Sequence, residues 1–135
     1  MEWQHNNSIR ASMSFIEDLL QGIDEIISGK AGIYHSTHTD LTQEQILLVE
    51  DELKQMKSLL KRAKEELNLR QNKIELSKVI AVNCSFIWET IEDSWSDKLE
   101  KSYGKIRSKE KKERIDAILR QLSEHNTRIQ NLIRN

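Results

Sequence analysis

The chain has 135 residues, a length that predicts one domain able to hold a hydrophobic core without disulfides or metal. Apolar residues make up 37%, there is no Pro and there are only four Gly, a composition that favours helix over sheet. The 21 Lys and Arg nearly balance the 22 Asp and Glu, and the lone Cys84 excludes an internal disulfide, which argues against a disulfide-stapled secreted domain and for a cytoplasmic setting.

The first helix is expected from about Ser8 to Ser28, because Ile9, Met13, Ile16, Leu20, Ile23 and Ile27 recur at spacings of three and four. Gly29 is its natural stop, and Gly32 loosens the segment from Lys30 to Asp40 into a connection. The next start is a capping box: Thr42 accepts from the Gln45 amide while the Gln45 side chain reaches back, with Leu41 stapled onto Ile46.

From there an apolar heptad runs in phase through Ile46, Val49, Leu53, Met56, Leu60, Ala63, Leu67, Ile74, Ala81, Cys84, Trp88, Ile91 and Trp95, interrupted only at Arg70 and Ser77. If the polar patch from Asn68 to Asn72 is a turn, four helices make an up-and-down bundle. If it is not, one helix of about 90 Å reaches from Gln43 to about Tyr103. The patch holds neither Gly nor Pro and the heptad keeps its phase across it, so the long central helix is preferred, and its uncovered seam predicts a dimer or a bound partner. Gly104 is the next stop, and Ile115, Ile118, Leu119, Leu122, Ile129, Leu132 and Ile133 describe a last helix starting near Ser108. The expected fold is therefore all-α: an antiparallel bundle of three to four helices with a long coiled-coil-like central helix or helices, in a single domain spanning 1–135.

The longest charge-free stretch, Val79 to Trp88, is well short of the ~20 residues that cross a bilayer. Met1-Glu2-Trp3-Gln4 lacks the character of a signal peptide, and Ile133-Arg134-Asn135 matches no lipidation or retention signal, so the chain reads as unprocessed and soluble, with no membrane partner. Charge is polarised along it. Residues 1–53 carry ten acids against Arg10 and Lys30, net -8, while residues 54–135 carry nineteen bases against twelve acids, net +7. Such asymmetry can set how the chain's own segments pair, how two copies pair, or how an anionic partner is met.

The search for chemistry predicts no catalytic residue, no metal site and no cofactor. His35 and His38 are three apart beside Asp40, but no further ligands stand near in sequence, and the segment reads as a solvated loop. No Glu-x-x-His pair of the di-iron type is present. Cys84 lies mid-helix among apolar residues and reads as a small buried hydrophobe. No phosphate-cradling glycine loop, nucleophile elbow or zinc-protease motif occurs.

Arg120-Gln121-Leu122-Ser123-Glu124-His125 has the Arg-x4-His spacing and resembles the short motif of HEPN-type ribonucleases. The resemblance covers these six residues and implies a helical dimer in which Arg120 and His125 of two subunits meet to cleave RNA. Read from the residues alone, His125 falls on the apolar seam with Ile118, Leu122 and Ile129, while Arg120 lies ~140° around the helix.

Between Lys98 and Arg114 eight bases face three acids, net +5, and Lys105, Arg107, Lys109, Lys111, Lys112 and Arg114 are candidate phosphate contacts of a sequence-independent, salt-sensitive kind. Tyr103 is the only aromatic residue there, which does not make a base-stacking platform. The aromatic stripe Trp88, Ile91, Trp95, Leu99 and Tyr103, widened by Phe86 and Ile87, either fills the domain's own core or docks on a second chain. The sequence thus reads as a non-enzymatic protein working by helix-to-helix association with itself, as a homo-oligomer, or with a protein partner. The other class is a nucleic-acid-associated helical protein.

Overall fold

A computed structural model describes residues 4–71 and 73–134. Met1, Glu2, Trp3, Asn72 and Asn135, and the expectations that fall on them at the chain ends and at the last position of the 68–72 patch, lie outside the described residues. Those described form five helices and no strand: α1 (Asn6–Ile27), α2 (Gln43–Glu66), α3 (Leu76–Ser94), α4 (Ser96–Tyr103) and α5 (Lys109–Leu132). The chain is all-helical, and it divides into two compact units, Met1–Asn72 and Lys73–Asn135.

The first unit is the α1/α2 pair. Helix α1 ends in a Schellman closure, with Gly29 at φ 86° and the amides of Lys30 and Gly29 donating back to the carbonyls of Glu25 (2.7 Å) and Ile26 (3.0 Å). Helix α2 opens on the capping box expected at Thr42, whose hydroxyl accepts from the Gln45 amide at 3.1 Å while Gln45 Oε1 accepts from the Thr42 amide at 2.9 Å. The helices run antiparallel: Asp24 pairs with Lys57, and the Arg10 guanidinium donates to the Arg70 carbonyl at 3.5 Å. Leu20, Leu53 and Leu69 are buried at their contact.

The preferred long central helix is not formed. Helix α2 stops at Glu66, because Asn68 takes the left-handed conformation (φ 52°) and the amides of Leu69 and Asn68 donate to the carbonyls of Lys64 (2.9 Å) and Glu65 (3.3 Å). This is the same closure as at Gly29, with Asn in place of Gly, and Leu69 turns inward after it. Burial of Leu69 adds the apolar contact that such a stop carries, and the conserved heptad phase on either side is no obstacle to it. Asn tolerates this backbone where a Cβ without a polar neighbour does not. Asn68→Ala is expected to cost about 1 kcal/mol and Asn68→Gly little or nothing, read from denaturant midpoints.

In the second unit, α3 packs against α5, and both touch the short α4. The α3/α5 pair is antiparallel, since Asn126 Nδ2 donates to the Cys84 carbonyl at 3.0 Å while Ser96 meets Asp116. Cys84 and Ile91 are buried between them. The heptad's last step also fails: Trp95 leaves the helix (φ -53°, ψ 144°) and α4 starts afresh at Ser96. Gly104 (φ 103°) ends α4, and Ser108 caps α5, its hydroxyl accepting from the Lys111 amide at 3.2 Å.

Candidate functional site

Each helix of the two pairs packs mainly on one neighbour, so only part of its apolar arc is covered. On α1 the uncovered residues are Phe15, Leu19, Ile23 and Ile26, turned back from buried Leu20 by about 60–140° of helical angle. On α2 they are Leu48, Val49, Met56 and Leu59, turned back from buried Leu53 by about 40–140°, while Leu47 stands exposed on the other side of the helix. In an antiparallel pair, equal turns in the same sense bring the two stripes to one side. The first unit is therefore an amphipathic hairpin with one open apolar face, on which Phe15 is 64% exposed.

The second unit repeats the design. Phe86 and Ile87 on α3 and Ile118, Leu122 and Ile129 on α5 are exposed on the corresponding side. Between them runs a shallow groove of about 380 Å³, with Ile87, Thr90 and Ser94 on one wall and Leu119 and Leu122 on the other. Soluble chains rarely leave contiguous apolar surface beyond a few hundred Å² without a partner for it.

The aromatic stripe read from the sequence is split by the turn at Trp95. Ile91 belongs to the core, Trp88 is half exposed, and Trp95 lines a second hollow of about 390 Å³ with Arg120, Ser123, Glu124, Thr127 and Arg128. Leu99 is half-buried on α4, and Tyr103 stands exposed at its end. Sequence reading missed Phe15, Leu19 and Ile26, although their spacings of four and seven make a second stripe beside the one it followed.

The basic candidates Lys105, Arg107, Lys109, Lys111 and Arg114 are exposed in the loop before α5 and on its first turns. Lys112 is engaged: it pairs with Glu100, whose carboxylate also accepts from the Ile106 amide at 3.1 Å. Beside it, both carboxylate oxygens of Asp116 hold Ser96, one on the amide (2.9 Å) and one on the hydroxyl (2.6 Å). These contacts tie α4 to α5. Bonding to Lys112 lowers the Glu100 carboxyl below its ordinary range, bonding to Ser96 lowers that of Asp116, and the Glu100 contact raises the Lys112 ammonium.

The sign of the pH dependence follows. Depressed carboxyls contribute stability that is fully present above the ordinary carboxylate range and is lost as pH falls through their lowered values. The raised Lys112 contributes below its ordinary value of 10.5 and is lost as pH rises through the higher one. The melting temperature is expected to be flat through neutrality and to drop on acidification below about pH 4, with Asp116→Asn removing part of that drop.

Arg120 and His125 both lie on α5, five residues and so ~140° apart, and the His125 ring nitrogen is 3.4 Å from an Arg128 nitrogen. One chain does not bring Arg120 and His125 to a common point. His35 and His38 sit exposed outside any helix, and no group of three or more His, Cys, Asp or Glu among the described residues is placed to hold a metal ion. No helix among the described residues is long and apolar enough to cross a membrane. Comparison with family models, with curated proteins and with solved structures gives no match.

Proposed function

We propose that this is a non-enzymatic protein that works by helix-to-helix association, its hairpins completing helical bundles, coiled-coil-like in packing, with a second copy or a protein partner. The observation that carries this reading is the open apolar stripe on each hairpin, with Phe15, Leu19 and Ile26 on one and Phe86, Ile87 and Leu122 on the other. Trp88 and Tyr103, exposed outside these faces, are further anchors of the kind that concentrate binding energy. A cytoplasmic setting suits a protein whose single thiol, Cys84, is buried and free.

The test is the mass in solution by light scattering for wild type, Phe15→Glu and Ile87→Glu, together with helicity by circular dichroism. A charge on an open face is expected to dissociate the assembly while helicity stays. Unchanged mass and unchanged melting in both variants overturn the reading.

A second reading, nucleic-acid association, draws on the exposed cluster Lys105, Arg107, Lys109, Lys111 and Arg114. In that reading an RNA-cleaving dimer needs Arg120 and His125. Equal RNA cleavage by wild type, Arg120→Ala and His125→Ala sinks the catalytic version.

A further inference from the structure

The two hairpins differ in the charge that lies within their open stripes. On α1 a full half of the helix, from Met13 through Leu20 and Leu19 round to Phe15 and Gly22, holds no charged residue, and Arg10, Glu17, Asp18, Asp24 and Glu25 all fall on the opposite half. The α2 stripe holds Glu52 within it and Glu66 on its outer edge with Leu48. Lys57 pairs with Asp24, so Glu52, five residues before Lys57, stands level with the turn at Gly29, at the end of the α1 stripe. On α5, by contrast, Lys111, Arg114 and His125 fall within about 40° of Ile118 around the helix.

We propose that the α1/α2 face is covered by the same face of a second copy of this chain, the two hairpins related by a two-fold axis parallel to their helices, so that α1 of each copy lies antiparallel on α2 of the other. This rests on the association reading above and names both the face and its partner. The contact extends packing that the hairpin already makes. Leu20 and Leu53 are buried where α1 meets α2, and the open stripes adjoin those buried positions in the same sense of rotation. A second copy therefore gives each helix another antiparallel neighbour of the kind it already has and closes a four-helix bundle. Charge selects the pairing. With α1 on α2, the uncharged half of α1 meets the partner's α2 stripe, and no charged residue of α1 lies opposite Glu52 or Glu66. Laying α2 on α2 instead sets Glu52 and Glu66 of one copy against those of the other, which costs affinity. Two helices about 30 Å long and 10 Å wide present roughly 600 Å², so the two-fold contact removes about 1,200 Å² counted on both copies, the lower end of what a stable complex covers. Leu47, on the other side of α2, stays outside it.

The test uses the full chain, its mass followed by light scattering across a dilution series with helicity checked by circular dichroism. Wild type is compared with Ile87→Glu, which charges the other hairpin's stripe and so isolates the α1/α2 face, and with Leu19→Glu, Leu59→Glu and Leu47→Glu each added to Ile87→Glu. Ile87→Glu is expected to remain a dimer, with a dissociation constant raised about tenfold or more by Leu19→Glu or Leu59→Glu, unchanged by Leu47→Glu, and helicity kept throughout. An assembling wild type whose Ile87→Glu variant is monomeric overturns the α1/α2 contact and leaves association standing through α3 and α5. Leu47→Glu as disruptive as Leu59→Glu overturns it in favour of the other side of the hairpin. The arrangement is read by a short bifunctional maleimide, Cys84 being buried: mixed Ile26→Cys and Met56→Cys chains are expected to cross-link to twice the chain mass, and more efficient cross-linking of Ile26→Cys alone overturns α1 on α2 in favour of α1 on α1. A wild type that stays monomeric across the series overturns the second copy as occupant, and if Phe15→Glu and Ile87→Glu also leave mass and melting unchanged, the association reading falls with it.

Discussion

Ile91→Ala is expected to destabilise the second unit by about 2–4 kcal/mol, read as a lower denaturant midpoint and as faster amide exchange along α3 and α5. Ile91 is 4% exposed and shares the inside of its unit with Cys84 as the only buried apolar side chains described there. Removing three carbons leaves a void between α3 and α5, with only the short α4 beside them to collapse into it. Total stabilities of small domains are about 5–15 kcal/mol, so the change takes a large share. The same truncation at half-exposed Ile87 is expected to cost well under half as much. A result in which both cost the same shows that the groove is filled in solution, and the Ile87 loss then depends on protein concentration.

Asp116→Ala is expected to cost about 2–3 kcal/mol and to unwind α4 before the rest of its unit. Ser96 is 2% exposed, and both its amide and its hydroxyl end on the Asp116 carboxylate. Without that carboxylate, the first amide of α4 is buried with no acceptor, which costs about 1–3 kcal/mol, and a charge-assisted bond is lost besides. Asp116→Asn retains an acceptor for the amide, and its loss is expected to be about half as large. Exchange protection of Ser96 to Tyr103 is the measurement; protection equal to wild type in the alanine variant refutes the role of Asp116 as the cap of α4.

The contrast between these residues explains what was legible in the sequence. Features that close within one turn of helix were readable: the capping box of Thr42 and Gln45, the Gly29 and Gly104 stops, and the start at Ser108 all depend on residues at most five apart. The stop at Asn68 uses the same backbone closure as Gly29, but Asn has a weaker preference for it, and the deciding partner is the inward turn of Leu69. The break at Trp95 depends on Asp116, twenty residues beyond Ser96, and nothing in a heptad reports such a partner. Heptad phase misled for a related reason. It records which side of a helix is apolar, not whether the helix continues, and two helices can keep one phase across a turn.

The candidate faces were half legible. The stripe from Ile9 to Ile27 marks the α1 arc that meets α2, but the width of the arc, set by Phe15, Leu19 and Ile26, decides what is left uncovered. Phe86 and Ile87 were noticed as a widening of the α3 stripe. Which side of the widened arc stays open depends on where α5 packs, and Asn126 on Cys84 shows that only in three dimensions.

The hairpin connectivity has a kinetic consequence. Every pairing of α1 with α2 or of α3 with α5 closes a loop of at most a few tens of residues, so the average contact is near in sequence and each hairpin is expected to form in microseconds to milliseconds. Filling the open faces with another chain is a bimolecular event at typical rates of about 10⁵–10⁷ M⁻¹s⁻¹, which at micromolar concentration is slower. Under the proposed association, refolding followed by tryptophan fluorescence is expected to separate into a fast phase independent of concentration and a slow phase proportional to it, and a single concentration-independent phase counts against association; the ratio of the two phases measures how long the apolar faces remain open to any other chain that meets them.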